Sequence, residues 1–395
     1  MRKVALAAVI AALALMPAAS AKGPQPVLGI DWTTPASPRL AWFDPASLAK
    51  MPGRKVQLAG HTWPWAFSPD RSRLAIAGRE NAKQLRFVNA RTMRVLGQVP
   101  LRYAGDIDYV NWVSADHVLA YVQGYFDGTI ALVDAASRRI ERVTPLSDRV
   151  AYGGARFGGG IALLLGKYAG VSPAAVAVVD ADGGVRVVTL DRISIGTTQP
   201  GPDGQFETRR PGFAVDPVGR RAFVVDADFT VAAIDLDTLA VTYHAASLRA
   251  TSKLLRGPQR QAAWLGNALL AVSGVDYGGD ETGTAVGLRL IDTNTWTRRL
   301  VDSNVASFEV GDGILAGTGP EQDASRHYDV YGFDGRFRFG MDVARLQRLS
   351  VQGGYAYLCT MGGTALRVLD ARSGSGLGAL RRSACPTLLY GQSSG

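Results

Sequence analysis

Short apolar runs that end in an acidic or amide residue recur along most of the chain. The stretch AFVVDADFTVAAIDLDTL, residues 222–239, holds two such runs, a polar break between them and an aspartate-led turn at its end. Runs of this length bounded by turn formers are typical of strands. Few windows show the 3.6-residue period of an amphipathic helix. The pattern therefore predicts an all-β protein.

The aspartate that closes this stretch has counterparts in seven other segments. A short carboxylate or amide side chain can accept hydrogen bonds from backbone N–H groups that follow it by two or three residues. Each of these side chains is therefore predicted to begin a tight turn. Successive positions are 36 to 57 residues apart. We call these eight residues the turn anchors: Asp44, Asn89, Asp134, Asp180, Asp235, Asp292, Asp334 and Asp370.

A second pair of apolar runs, separated by turn formers, precedes most of the anchored segments. Examples are WAFSPDRSRLAIAG (65–78) and GFAVDPVGRRAFVVD (212–226). Each period therefore holds four short strands, which is the signature of one β-propeller blade. The anchors predict eight blades, although the first and sixth units are irregular and seven blades remain an alternative. No linker interrupts the repeats, so residues 22–395 are predicted to form one propeller domain.

The ring of blades is predicted to close through the C-terminus. The repeats begin in mid-blade, with only VLGIDW (27–32) ahead of the first anchored segment. The segment TLLYG (387–391) would complete that blade as an extra strand and remove two exposed sheet edges. The two cysteines, Cys359 and Cys385, stand near this closure. We expect a disulfide between them in an exported chain, with two buried thiols as the alternative.

The segments FSPDRSRLAIAG, VDPVGRRAFVVD, LRFVNARTM and AAIDLDTL resemble the secreted YVTN-type and related WD40-like propeller repeats. The resemblance extends over most of residues 40–380 and is strongest in two or three blades. The Gly-His and Trp-Asp pairs of true WD40 repeats are missing, as are the tryptophan motif of quinoprotein propellers and the aspartate box of sialidases. The resemblance implies a propeller scaffold of the kind that binds proteins, glycans or small ligands.

Residues 1–21 have the composition of a secretory signal peptide. Arg2 and Lys3 precede an uncharged apolar stretch, and the segment ends in the small-residue site Ala19-Ser20-Ala21. A buried helix or a membrane anchor is the alternative, but the apolar core is short for a span. We expect cleavage before Lys22, a secreted protein in the extracellular space or periplasm, and no membrane span.

The charge balance argues against a nucleic-acid partner. The full chain carries a net charge of +9. Its basic doublets, such as Arg138-Arg139 and Arg220-Arg221, are scattered and do not form the clustered stripe that nucleic acids require. The expected partner is instead a protein, a glycan or a cell-envelope ligand, and we expect a monomer.

No motif in the sequence specifies catalysis. The formal G-x-S-x-G at residues 391–395 has no following helix to support a nucleophile. The four histidines, His61, His117, His244 and His327, are far apart in sequence, so no catalytic residue, metal ligand or cofactor is predicted. The glycine-rich GGARFGGG (153–160) is interpreted as hairpin turns.

Aromatic residues recur in the loops between second and third strands. In a propeller these loops share a face with the connections between blades, where rings and a few polar groups around a central depression can form a binding site. Packing of each ring against the next blade is the alternative. The predicted binding residues are His61, Trp63, Tyr103, Asp106, Tyr125, Phe126, Tyr168, Phe229 and Tyr277.

Two functions follow from this sequence. The favoured one is a secreted, non-catalytic propeller that binds a protein, glycan or small ligand through loops on one face. The alternative is a propeller enzyme, lactonase-like or quinoprotein-like, with an axial metal or cofactor. An axial site needs acids, amides or histidines on several innermost strands, and the sequence offers at most Asn111, Asp216, Asn267 and Glu309.

Overall fold

The computed structural model describes most of the chain between residues 26 and 389. The described residues are 26–34, 37–58, 61–78, 83–103, 105–124, 127–198, 207–245, 257–277, 283–311, 313–320, 325–344, 347–360, 365–381 and 386–389. All regular secondary structure in these ranges is β-strand. No helix in them is long and apolar enough to cross a membrane. The predicted signal peptide and Cys385 lie outside the described residues.

Eight antiparallel sheets contain the strands, and each sheet is one blade. Blade 1 consists of β1 (Val27–Asp31), β2 (Arg39–Phe43), β3 (Val56–Gln57) and the C-terminal β34 (Thr387–Leu388). Blade 2 consists of β4 (His61–Phe67), β5 (Arg73–Gly78), β6 (Gln84–Asn89) and β7 (Arg94–Pro100). Blade 3 consists of β8 (Asp106–Trp112), β9 (His117–Gln123), β10 (Gly128–Asp134) and β11 (Arg139–Leu146).

The next two blades follow the same order from the innermost strand outward, and blade 4 has a fifth strand. They consist of β12 (Val150–Phe157), β13 (Gly160–Gly166), β14 (Gly170–Asp180), β15 (Val185–Thr197), β16 (Thr208–Arg209); and β17 (Gly212–Asp216), β18 (Arg221–Val225), β19 (Val231–Asp235), β20 (Val241–His244).

Blades 6 to 8 complete the ring, and blade 6 carries the short additional β23. They consist of β21 (Gly257–Gly266), β22 (Leu269–Tyr277), β23 (Gly283–Ala285), β24 (Leu288–Asp292), β25 (Arg298–Asp302); β26 (Ser307–Gly311), β27 (Ile314–Thr318), β28 (Ser325–Gly332), β29 (Phe337–Ala344); and β30 (Gln347–Gln352), β31 (Tyr355–Thr360), β32 (Ala365–Asp370), β33 (Gly376–Arg381). The predicted β-propeller is confirmed, with eight blades.

The C-terminal strand closes the ring as predicted. It forms the innermost strand of blade 1, with Gly29 opposite Leu388 and Ile30 opposite Thr387. The Trp32 indole Nε1 donates a hydrogen bond to Thr387 Oγ1 at 2.8 Å, and Leu388 is buried. The first blade is therefore built from both ends of the propeller domain.

The turn anchors explain why each third strand ends where it does. In six blades the backbone N–H three residues beyond the anchor donates to the anchor's side-chain oxygen, and the N–H four residues beyond donates to its carbonyl. The fourth residue has a positive φ, as in Leu48 at 50° and Leu239 at 60°. Asp180 is different, because its carboxylate contacts Arg186 and Asp182 accepts the turn N–H of Gly184.

The hydrophobic core lies between neighbouring blades. Trp112 on β8 is fully buried, donates from Nε1 to the Ala66 carbonyl of blade 2 at 3.0 Å, and meets Phe87 edge to face with 6.0 Å between ring centroids. Comparable clusters of buried apolar side chains join other neighbouring pairs of blades. Each blade thus shields its neighbour from water, which is the main source of stability in this architecture.

Candidate functional site at the axial mouth

The innermost strands all begin on one face of the ring. We call it the entry face, marked by His61, Asp106 and Val150, the first residues of β4, β8 and β12. Because neighbouring strands are antiparallel, the loops between second and third strands open on this same face. The described loops that carry Tyr168 and Phe229 therefore lie on the entry face.

A cavity of about 190 Å³ lies at the entry face where blades 2, 3 and 4 meet. Aromatic rings supply most of its wall, and Asp108 adds a carboxylate. The lining residues are Trp63, Asp108, Tyr109, Tyr121, Ala151, Tyr152 and Gly153. This volume is below the roughly 300–1,000 Å³ of pockets for drug-sized ligands. It suits one ring or one side chain of a larger partner.

Three of these rings lie near the start of the innermost strand of their blade. Trp63, Tyr109 and Tyr152 stand at the third or fourth residue of the innermost strands β4, β8 and β12. All three rings line the same cavity. Trp63 is further fixed by an edge-to-face contact with Trp65, with 4.8 Å between the ring centroids.

A glycine makes room for the Tyr109 ring. A Cβ on Gly154 would lie 2.9 Å from Tyr109 Cζ and 2.7 Å from Leu163 Cδ2, closer than real contacts allow.

The interpretation of residues 153–160 as hairpin turns is wrong for the first half of this segment. Gly153 and Gly154 lie within β12, and only the second half of the segment forms the turn that follows.

Two buried phenol groups give the cavity its polar character. Asn111 Nδ2 donates to Tyr109 Oη at 3.2 Å, and the Ala151 N–H donates to Tyr121 Oη at 2.9 Å. Burial raises the pKa of both tyrosines, so both hydroxyls keep their protons. In both of these hydrogen bonds the hydroxyl is the acceptor, which leaves the O–H able to donate to a ligand oxygen.

Charges of both signs lie near the aromatic cavity, with Asp108 in its lining and Asp127 close enough to act on Tyr121. Arg156 lies on β12, four residues beyond Tyr152, and its half-burial lowers the pKa of the guanidinium. Arg210 is close enough to Tyr152 to influence its titration. The Tyr152 hydroxyl donates to the Lys167 carbonyl at 2.9 Å, which anchors the ring to the loop that carries Tyr168.

Of the predicted binding residues in blades 2 to 4, Trp63 and Tyr168 lie at or beside this cavity. Trp63 lines it directly. Tyr168, in the β13–β14 loop, is 40% exposed and lies near the Tyr152 ring of β12. Tyr103 is half-buried against the core between blades 2 and 3, and Asp106 is exposed at the first position of β8. Tyr125 and Phe126 lie outside the described residues.

The aromatic residues of blades 5 and 6 are placed differently. Phe229 is 5% exposed, and two guanidinium groups pack on its ring, with central carbons 5.0 Å (Arg260) and 4.5 Å (Arg289) from the ring centroid. Its side chain is part of the core between these blades, so the packing alternative describes it. Tyr277 is half-buried at the end of β22. These two rings do not line the cavity.

Two of the four side chains proposed for an axial metal take part in local hydrogen bonds. Asn111 is fully buried and donates to Tyr109, as described above. Asp216 Oδ1 accepts the N–H groups of Val218 and Gly219 in the β17–β18 turn. Asn267 lies in the β21–β22 turn with a φ of 49°. Local hydrogen bonds therefore account for Asn111 and Asp216, and the turn position accounts for the backbone of Asn267.

Sequence reasoning missed Asp108, Tyr109, Tyr121 and Tyr152. The searched signal was an aromatic residue in a loop, whereas these four lie within strands. The signal that could have found three of the rings is an aromatic residue near the start of successive innermost strands, in HTWPWAF, DIDYVNW and VAYGGARF.

No protein-family model and no curated protein matches the sequence. Solved structures do match. The dihydro-heme d1 dehydrogenase NirN, in complex with DHE, is 11% identical, with a TM-score of 0.61 over 95% of this chain and 77% of that chain. BamB from Moraxella catarrhalis is 11% identical, with a TM-score of 0.54 over 80% of this chain and 87% of that chain.

The WD40 domain of SCAP from fission yeast is 9% identical, with a TM-score of 0.51 over 84% of this chain and 87% of that chain. These similarities agree with the WD40-like character of the repeats and with the β-propeller fold. At such low identity they establish the fold alone, because one propeller scaffold supports many unrelated functions.

Proposed function

We propose that this chain is a secreted, non-catalytic β-propeller that binds an extracellular or envelope partner, a protein or a glycan, at the entry face. The observation that carries the proposal is the cavity walled by Trp63, Tyr109, Tyr121 and Tyr152. Aromatic walls with a few convergent polar groups are the usual composition of recognition pockets.

The size and chemistry of the cavity indicate what enters it. A volume of about 190 Å³ accepts one aromatic, aliphatic or sugar ring of the partner. The Tyr109 and Tyr121 hydroxyls favour a ring or side chain that bears a hydrogen-bond acceptor.

The proposal rests on this cavity and on the sequence, and not on the similar structures, which include a dehydrogenase as well as a WD40 domain.

The signal-peptide composition of residues 1–21 supports export. Mass spectrometry of the protein secreted from a bacterial host should give an N-terminus at Lys22. An uncleaved chain retained in the cytoplasm would contradict export without affecting the binding site.

Binding can be tested with displayed peptide libraries and a glycan array probed with the mature protein. The ligands selected should lose at least 10-fold in affinity when Trp63→Ala or Tyr152→Ala replaces the wild type, since buried aromatic anchors dominate interfaces. Phe337→Ala is the matched control, because that ring is 60% exposed on the outermost strand of blade 7. Ligands that tolerate both cavity variants, or an absence of ligands, would refute the proposal.

A further inference from the structure

A second set of convergent side chains lies in blade 3, at the ends of the strands away from the entry face. His117 is the first residue of β9, Asp134 the last of β10, and Glu141 lies in β11. Their ligand atoms all lie within 4.8 Å of one another. His117 Nε2 is 3.0 Å from Glu141 Oε2 and 4.0 Å from Asp134 Oδ2.

Backbone geometry brings these three side chains to one side of the blade. His117 and Asp134 are direct cross-strand partners, so their side chains project on the same face. Between β10 and β11 the register shifts, with Val133 opposite Ile140 and Leu132 opposite Arg142. Glu141 is the extra residue of this β-bulge, and a bulge re-aims the side chain it carries.

The other blades show that the turn itself does not require this set. In blade 2 the residue opposite the anchor Asn89 is Arg73, and the bulge residue is Leu96. In blade 8 the residue opposite the anchor Asp370 is Tyr355, and the bulge residue is Leu377. Blade 3 alone among these three combines an imidazole and two carboxylates at the equivalent positions.

The imidazole is oriented for coordination. The Ser114 hydroxyl contacts His117 Nδ1 at 3.1 Å, which leaves Nε2 directed at the two carboxylates. A hydrogen bond on the second ring nitrogen is the usual support of a metal-bound histidine. Asp134 divides its two oxygens, since Oδ1 accepts the Ser137 N–H of the turn and Oδ2 lies toward His117.

The set also borders open space. A cleft of about 600 Å³ is lined by His117 and Glu141 together with Ser114, Asp116, Leu132 and Asp182. Three protein ligands and an accessible fourth position are the arrangement of an open zinc site. Donor atoms on a tetrahedral Zn²⁺ stand roughly 3.3 Å apart, given bond lengths of about 2.0–2.1 Å. His117 Nε2 is 3.0 Å from Glu141 Oε2 and 4.0 Å from Asp134 Oδ2, so binding requires the carboxylates to move by side-chain rotation.

We propose that His117, Asp134 and Glu141 form a site for a divalent transition metal, with Zn²⁺ as the ion of choice. One imidazole nitrogen and two carboxylate oxygens suit Zn²⁺ better than Ca²⁺, which takes oxygen ligands only. The open position faces the cleft, where a water or an anionic group completes the shell. This inference is independent of the aromatic cavity, which lies at the opposite ends of the strands.

The experiment is isothermal titration of ZnCl₂ into tag-free mature protein stripped with EDTA, with native mass spectrometry for stoichiometry. One Zn²⁺ per chain is expected. His117→Gln and Glu141→Gln should each weaken binding at least 10-fold, since even outer-shell changes cost about 10- to 100-fold. Zinc should also raise the melting temperature of the wild type but not of His117→Gln.

His327→Gln is the matched control. His327 also contacts two carboxylates, but through opposite ring nitrogens, with Nδ1 2.7 Å from Asp342 and Nε2 3.1 Å from Asp329. One ion cannot use both of those carboxylates, so this variant should bind zinc like the wild type. Equal losses in the two histidine variants, no saturable binding at millimolar zinc, or equally tight binding of Ca²⁺ would overturn the proposal. Melting curves of metal-free variants verify the fold.

Discussion

Arg260 Nη1 lies 2.7 Å from Asp276 Oδ1, and the Arg260 side chain is only 2% exposed. The pair links the innermost strand of blade 6 to its second strand. The same guanidinium covers the Phe229 ring of blade 5, with its central carbon 5.0 Å from the ring centroid. The Arg260 side chain therefore takes part in the ion pair within blade 6 and also in the packing of blade 6 against blade 5.

Removal of one partner from this pair should destabilise the protein strongly. Asp276→Ala leaves the buried Arg260 charge without its carboxylate, and such losses cost about 3–5 kcal/mol. The measurement is the free energy of unfolding in urea. Asp237→Ala is the control, because it removes an acid from the exposed pair with Arg220 and should leave the midpoint nearly unchanged. Similar midpoints for the two variants would contradict the prediction.

The anchor turns make stability depend on acid pH. Backbone N–H donors, from Thr238 at Asp235 and from Ser373 at Asp370, hold the pKa of each carboxyl below its usual value. A depressed folded-state pKa contributes stability above the unfolded pKa of about 3.9, and that contribution is lost as pH falls through the folded pKa. The free energy of unfolding should therefore decrease as the pH is lowered below about 4.

Asp235→Asn tests this account, because an amide oxygen accepts the same hydrogen bonds without titrating. Asn89 already closes the equivalent turn of blade 2 in this way, with its Oδ1 2.8 Å from the Thr92 nitrogen. We expect a smaller loss of stability between pH 5 and pH 3 than in the wild type. Asp235→Ala removes the acceptor and should cost about 1 kcal/mol at pH 7. An unchanged pH profile in Asp235→Asn would contradict this account.

The sequence predicts the fold well because the determinants of the blade are local. The anchor Asp235, for example, makes its turn contacts within four residues. The cavity is harder to predict because it joins Trp63, Tyr109 and Tyr152 from three blades, and strand alternation presents Tyr109 as an ordinary buried residue. The contacts of Glu141 depend on a one-residue bulge, which the apolar pattern does not reveal.

Ring closure can be tested by deletion of residues 386–395. This change removes β34, exposes the edge of β1 and deletes Leu388 and Leu389, which are 9% and 1% exposed. Loss of two buried leucines should lower the free energy of unfolding by about 4 kcal/mol or more. The exposed edges should also promote self-association in gel filtration. Deletion of residues 391–395 alone is the control and should behave as the full chain does.

The predicted disulfide would strengthen the same closure. Cys359 lies in β31 of blade 8, and Cys385 shortly precedes β34 of blade 1, so a bond between them joins the two blades that complete the ring. Its loop of about 25 residues predicts that Cys385→Ser lowers the free energy of unfolding by roughly 3 kcal/mol under oxidising conditions. With dithiothreitol present, wild type and variant should unfold at nearly the same urea concentration. Two reactive thiols in the oxidised, urea-unfolded wild type would contradict the pairing, and ring closure would then depend on β34 alone.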